Sequence, residues 1–455
     1  MSFASLHFLI FILLYLFLIN IFKKNWKFIS IIFSLFFYSY WRLILCLLLV
    51  FSVLQTYTIG YLVYNNKNSK TYLITGVITS LIILFIFKYF NFFISDLANI
   101  DLKNTIFSKI ILPIGISFYT FQSISYLIDI YKKKIKPTNL KNLFIFIIFF
   151  PQLVAGPIVR ARKLIPQIER GIKINFNNYK KGLMLILWGY FLKLCVSNNL
   201  DAYVSSVYNF IGESNTPTLF VTAIFYSFLI YADFCGYSLI AIGILKMLGF
   251  NIPANFLTPY FSTNLTEFWR RWHISLSKFL RDYLYIPLGG NKNGFINTLR
   301  NIIIVMTIGG LWHGASLNFI LWGFLHGIFL SIERIFNKIN INLNIPIIGI
   351  IYVFLLVTIL WIPFSISNFN DLIVFINIFN LKDILNFSQI IEKFYVVQNL
   401  LLIFILIVLD MVFSKKNLVK IKNNYFLLGF TFIFILGLII TFGIFDEKKF
   451  IYFQF

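Results

Sequence analysis

Histidine is scarce in this chain, and its four copies are His7, His273, His313 and His326. Imidazole is the side chain best suited to moving protons near neutral pH, so each copy is a candidate for chemistry. His313 lies in Leu311-Trp312-His313-Gly314-Ala315-Ser316, at the end of a short apolar run that begins near residue 301. A run of about 13 residues at about 1.5 Å each covers only about two-thirds of a 30 Å hydrocarbon core, which predicts His313 near mid-membrane. A polar ring there without a partner costs on the order of 2–7 kcal/mol. A water-lined cavity, a bound substrate or a hydrogen bond between packed helices would each remove that cost. Position alone leaves a reactive and a packed histidine equally open. The small residues at 314–316 permit a tight turn and close approach of a ligand.

His273 lies in Phe268-Trp269-Arg270-Arg271-Trp272-His273-Ile274-Ser275-Leu276-Ser277. One reading is an interfacial amphipathic helix, with Trp at headgroup depth and Arg on phosphates. The other is a basic, aromatic mouth for an anionic donor, because guanidinium forks match phosphate and indoles stack on bases. Asp233, in Tyr231-Ala232-Asp233-Phe234-Cys235-Gly236-Tyr237-Ser238, lies well inside a long apolar run. An acid at that depth is either functional or the buried partner of an arginine or a tyrosine hydroxyl. His326 falls a little over three helical turns beyond His313, about 20 Å along an unbroken helix, and reads as a packing residue. His7 reads as solvated at the membrane edge. Cys46, Cys195 and Cys235 read as small buried hydrophobes, since no CxxC spacing occurs. No metal site is expected. Tyr283 to Asn291 carries Pro287, Gly289 and Gly290 and reads as a turn.

The elements that must position these residues are membrane helices. Of 455 residues, 59% are hydrophobic and 12% charged, too few charges for a water-soluble surface, where about 25% is usual. Apolar segments lie near 8–22, 28–40, 42–64, 72–94, 106–130, 182–198, 218–244, 317–335, 346–366, 396–413 and 425–445, with two incomplete ones at 143–158 and 301–313. The expectation is an all-α polytopic membrane protein of about eleven transmembrane helices plus re-entrant or half-membrane helices. It reads as a single domain over 1–455, with the first segment retained rather than removed as a signal peptide.

The net charge of +23 comes from lysines and arginines in short loops. There they set topology and meet anionic lipid, and nucleic-acid binding is not expected. Basic loops after the first, third and fifth segments, and before the last, belong on the cytoplasmic side, which puts both termini outside. The alternation holds only if 143–158 dips into the membrane and returns. Neither a Walker A loop nor GxSxG occurs. Two classes of function then stand: a membrane enzyme, and a transporter or flippase whose histidines relay protons.

Ordered blocks over most of the chain resemble the membrane-bound O-acyltransferase (MBOAT) family. They are Pro113 to Gln122, Phe150 to Ile158, Tyr231 to Ser238, Asn255-Phe256 with Pro259-Tyr260, Phe268 to Ser277, Arg281 to Gly290, and Trp312-His313-Gly314. The motif-bearing core is about 106–335. Tyr283 to Gly290 and the closing Phe450 to Phe455 look most like the bacterial branch containing the alginate O-acetylation membrane protein and the peptidoglycan O-acetyltransferase. The D-alanine exporter of teichoic acid synthesis is a more distant cousin. The resemblance implies a fold with a central tunnel, His313 as the catalytic histidine and His273 as a second one. Arg270, Arg271, Trp272, Asp233, Trp312 and Asp282 are the expected substrate-binding residues. The resemblance further implies no bound cofactor, and acetyl-CoA or a similar thioester arriving from the cytoplasm. The acyl group would then pass across a bacterial inner (plasma) membrane to an extracytoplasmic polysaccharide, with a periplasmic SGNH-type transferase or esterase as partner.

Overall fold

The computed structural model describes residues 1–98, 100, 110–153, 156–339, 346–386, 388, 390–412 and 425–445. Among them no strand occurs, and the chain is a succession of helices. Lipid offers no hydrogen bonds, so a spanning backbone must satisfy itself within each helix. Val154, Ala155, Asp101, the start of the expected 106–130 segment, the lysines at 415, 416, 420 and 422 and the closing Phe450 to Phe455 lie outside the described residues.

Among the described residues, eight helices are long and apolar enough to cross a membrane: Leu43–Asn65, Ser69–Tyr89, Phe176–Asn209, Thr216–Met247, Phe295–His313, Leu317–Lys338, Pro346–Ser365 and Lys393–Val412. A ninth is reached if the first two helices are one broken span, for α1 (Leu6–Ile21) and Lys23–Ser39 meet at 114°. The expected count of about eleven took these two segments separately. Each is 16 residues or fewer in its α-helical part, whereas a span needs about 20. The described part of the 106–130 segment carries a helix from Ile116 to Tyr131 that buries Gln122 and Asp129 among its residues.

The described chain forms two compact units, Met1–Ile186 with Ser238–Pro253, and Leu187–Tyr237 with Ala254–Phe455. In the first, Phe8, Phe11, Tyr15 and Phe37 pack around Phe150. Phe150 follows the helix Leu140–Ile148, which is nine residues long and ends where Phe149 leaves helical geometry. That is about 14 Å, half a bilayer core. Gln152 donates to the Phe146 carbonyl at 2.6 Å, and Phe150 N–H donates to Ser34 at 3.1 Å. Protein cover of this kind is what a helix broken at membrane depth requires.

The second unit holds the candidate site. Its helices are α2 (the 216–237 part of Thr216–Met247), α3 (Leu265–Arg271), α4 (Ile274–Leu280), α5 (Phe295–His313), α6 (Leu317–Lys338) and α7 (Pro346–Ser365). Helices α5 and α6 form an antiparallel hairpin. A Cβ on Gly310 would lie 2.1 Å from the Phe319 carbonyl oxygen, and one on Gly323 2.3 Å from that of Met306. Backbones this close need glycine at both positions, the small-residue packing of membrane helices.

The expected start of the His313 helix near 301 is corrected. Helix α5 begins at Phe295 and has 19 residues, about 28 Å. Its polar first turns are satisfied locally: Asn301 Nδ2 donates to the carbonyls of Leu288 and Gly290 at 3.2 and 3.1 Å. A helix of this length can cross the hydrocarbon core, so shortness does not set His313 at mid-membrane. The expected turn before α5 is present, with Gly289 and Gly290 at φ of 102° and 54°, a region that favours glycine.

Candidate active site

His313 is the last residue of α5 and is 4% exposed. The chain turns at once: Gly314 is extended, and Ser316 caps α6 by accepting from Phe319 N–H. A Cβ on Gly314 would lie 2.1 Å from the Phe319 ring, so no larger residue fits the turn as it stands. The His313 ring is caged by Trp312, Trp322 and Phe364 at centroid distances of 5.0, 5.2 and 5.3 Å.

The His273 ring lies 6.3 Å from that of His313 and 6.0 Å from Trp312. It is fully buried. Of the two readings of 268–277, the one as a single interfacial amphipathic helix does not hold. Helix α3 stops at Arg271, Trp272 is extended, and His273 takes the left-handed conformation at φ 38°, ψ 53° before α4 starts. A non-glycine residue pays on the order of 1–3 kcal/mol for that, strain that is often stored at functional sites. The break is braced from outside: Leu257 N–H donates to the Arg271 carbonyl at 3.0 Å and Ile274 N–H to the Asn255 carbonyl at 2.9 Å. It turns both Trp272 and His273 inward, where a continuous helix would place them on different faces.

Trp272 is buried one layer behind the histidines, against Trp361 at 5.0 Å, and Trp361 stacks on Trp322 at 5.4 Å. Trp272 therefore faces the interior, and of the residues read as a basic, aromatic mouth it is not one that a donor could meet at the surface. Arg270 is exposed. Arg271 is braced, donating to Glu267 at 2.6 Å. Burial pushes the Glu267 carboxyl up, but hydrogen bonds from Thr263 and the Arg271 charge outweigh it and hold the group below the usual carboxylate range. Asp282 pairs with Arg281 at 2.8 Å.

Asp233 forms a buried ion pair with Lys193 at 2.5 Å and accepts from Ser197 at 3.1 Å. The next residue, Phe234, meets the His273 ring edge-on at 4.6 Å. The partner is a lysine, where an arginine or tyrosine was expected. Lys193 lies in a π-helical stretch, Phe191–Ser197, a bulge often found at functional sites. The tyrosine of the same block, Tyr231, instead donates to Asp410 at 2.7 Å.

His326 is much closer to the site than an unbroken helix would place it. The turn at 314–316 folds α6 back, and Trp322 bridges the two rings at 5.2 and 4.9 Å. His326 Nδ1 accepts from Trp269 Nε1 at 3.4 Å. Sequence reasoning also missed Trp322, Trp361, Phe364, Lys193 and Asn255 as neighbours of the site. A faint signal existed in the Trp322/His326 and Trp361/Phe364 spacings, each one helical turn. No group of three His, Cys, Asp or Glu side chains able to hold a metal occurs among the described residues.

Helices of membrane length and a buried histidine pair define a polytopic, all-helical membrane protein with a candidate proton-transfer centre. Residues 30–370 match MBOAT, the membrane-bound O-acyltransferase family, and the chain belongs to that family and is an acyltransferase. It is 38% identical over 344 residues to the probable alginate O-acetylase AlgI of Pseudomonas putida, covering 74% of this chain and 70% of that one. It is 35% identical over 381 residues to the peptidoglycan O-acetyltransferase of Helicobacter pylori, covering 76% and 72%. The teichoic acid D-alanyltransferase of Bacillus subtilis is 29% identical over 310 residues, covering 65% and 76%.

Proposed function

We propose that this protein passes an acetyl group from a cytoplasmic thioester, acetyl-CoA or a similar donor, across the bacterial inner membrane for O-acetylation of an extracytoplasmic polysaccharide, peptidoglycan or an alginate-like polymer. The observation that carries the reading is His313, buried in an aromatic cage at the end of a membrane helix with a second histidine ring 6.3 Å away. His313 acts as general base or as transient acyl carrier. In direct transfer it takes the proton of the acceptor hydroxyl as that oxygen bonds to the acyl carbon. The C–S bond breaks, the electron pair leaves on sulfur, and the thiolate takes up a proton. General-base help of this kind contributes about 10²–10⁴-fold.

Arg270 and Arg271 meet the anionic part of the donor on the cytoplasmic side, and an SGNH-type partner receives the group outside. Acetyl is favoured over D-alanyl because the O-acetylating relatives are 35–38% identical and the D-alanyltransferase 29%. The test is His313→Ala protein that inserts normally, given labelled acetyl thioester and polymer. Loss of transfer within the range above is expected, and wild-type transfer would sink the assignment. Ester-linked acetate on cell-wall muramic acid, measured in a deletion strain, tells peptidoglycan from another polymer.

A further inference from the structure

The residue whose carbonyl braces the break, Asn255, also holds the His273 ring through its side chain. Asn255 Oδ1 accepts from Ser275 N–H at 3.2 Å and from Ser275 Oγ at 2.9 Å, and lies 3.3 Å from His273 Nδ1. A backbone N–H can only donate. The Asn255 atom it meets must therefore be the carbonyl oxygen, which fixes the orientation of the amide. His273 Nδ1 faces that same oxygen, so it must carry a proton. In a neutral imidazole the other nitrogen is then a lone-pair acceptor. That nitrogen, Nε2, is buried and has no hydrogen-bond partner among the described residues.

The backbone enforces the same arrangement. The Asn255 carbonyl holds Ile274 N–H at 2.9 Å, so one residue clamps both the strained turn and the ring within it. His326 shows the opposite pattern. Its Nδ1 accepts from Trp269, so its Nε2 carries the proton. The two histidines are thus set as an acceptor and a donor by different partners.

We propose that Asn255 is a positioning residue that holds His273 as its Nδ1–H tautomer, leaving Nε2 to accept a hydrogen bond from the O–H or S–H group that reacts at His313. The proposal deepens the acyl-transfer reading and rests on it for the identity of that group. A buried acceptor without a donor costs on the order of 1–3 kcal/mol, a cost recovered when the reacting group binds.

The test uses the full-length protein in detergent or proteoliposomes. Asn255→Ala should lower kcat by about 10- to 100-fold, as when the orienting partner of a metal-bound histidine is removed, with the donor KM little changed. Asn255→Asp keeps an accepting oxygen and adds a negative charge beside the ring. It should retain most of the rate and move the acid limb of the pH–rate profile upward, because protonated His273 cannot accept. Nitrogen-15 shifts of labelled histidine, assigned with His273→Gln, should show a protonated Nδ1 and a bare Nε2 in the wild type. If Asn255→Ala does not fold, the Asn255→Asp profile and the shifts carry the test. The opposite tautomer, a wild-type kcat in Asn255→Ala, or an unmoved profile in Asn255→Asp would each overturn the proposal. Wild-type protein with no acyl transfer at all would sink the functional reading instead, and the shifts would still decide the tautomer.

Discussion

His273 and His313 present their rings to one another at a centroid separation of 6.3 Å and an interplanar angle of 61°. One precedes a short helix and the other ends a long one. Two rings this close, within one aromatic enclosure, should serve one step. His273→Ala and His313→Ala should then be non-additive: the double variant should lose no more than the worse single, as groups acting as a unit do. The measurement is the rate of labelled acetyl transfer from thioester. Losses that multiply would mean that the histidines act in separate steps.

The adjacent arginines should separate cleanly. Arg270 is exposed, whereas Arg271 is held by Glu267. Arg270→Ala should raise the donor KM with little change in stability. Arg271→Ala should also lower the melting temperature, by the equivalent of about 0.2–1 kcal/mol for a half-exposed pair. The Glu267 carboxyl is held below its usual range, so its contribution is present above the unfolded pKa and lost as pH falls through the folded one. The stability gap between wild type and Arg271→Ala should therefore narrow on acidification, as read by melting curves. A gap that widens would show that Glu267 is not the partner that matters.

Removing one member of the Lys193–Asp233 pair should be severe. Both side chains are almost fully buried, so Lys193→Met takes the counter-ion from the Asp233 carboxylate at a cost of about 3–5 kcal/mol. Replacing both, as Lys193→Met with Asp233→Leu, should recover much of the loss, because two apolar side chains need no partner. Thermal unfolding in detergent reads the difference. Equal destabilisation by the single and the double variants would deny the pair its role.

What the sequence revealed follows how local each feature is. His313, His273 and Trp312 announce themselves because imidazole and indole are rare and conspicuous beside small residues and arginines. Lys193 did not, because one lysine in a run of leucine, phenylalanine and valine barely moves a hydropathy average. The first turns of α5 were missed for the converse reason: Asn297, Arg300 and Asn301 depress the average, although the Leu288 and Gly290 carbonyls satisfy Asn301. The break at Trp272–His273 has no composition signal, since the left-handed turn is imposed by the 254–262 segment rather than by a glycine. Trp361 and Phe364 belong to a motif-free helix, where only their spacing of one helical turn marks a shared face. Which aromatic faces which is decided by tertiary packing.

The α5–α6 hairpin offers the last test, because the distance between its backbones sets where His313 and Trp322 meet. Gly323 faces the Met306 carbonyl and the Gly310 backbone, with 2.3 and 3.1 Å available to an added Cβ. Gly323→Leu must therefore push the helices apart rather than find a rotamer, at about 1–3 kcal/mol. Its neighbour Trp322 would leave the His313 ring, which it now meets edge-on at 5.2 Å. The expected outcome is acyl transfer lowered about tenfold or more, in line with the sensitivity of reaction rates to displacements of about 1 Å. Helical circular dichroism should be retained. Gly437→Leu is the control, since nothing lies within 4 Å of a Cβ there, and it should leave both readouts unchanged. Equal activity in the two variants would mean that the close approach of the hairpin does not position the site.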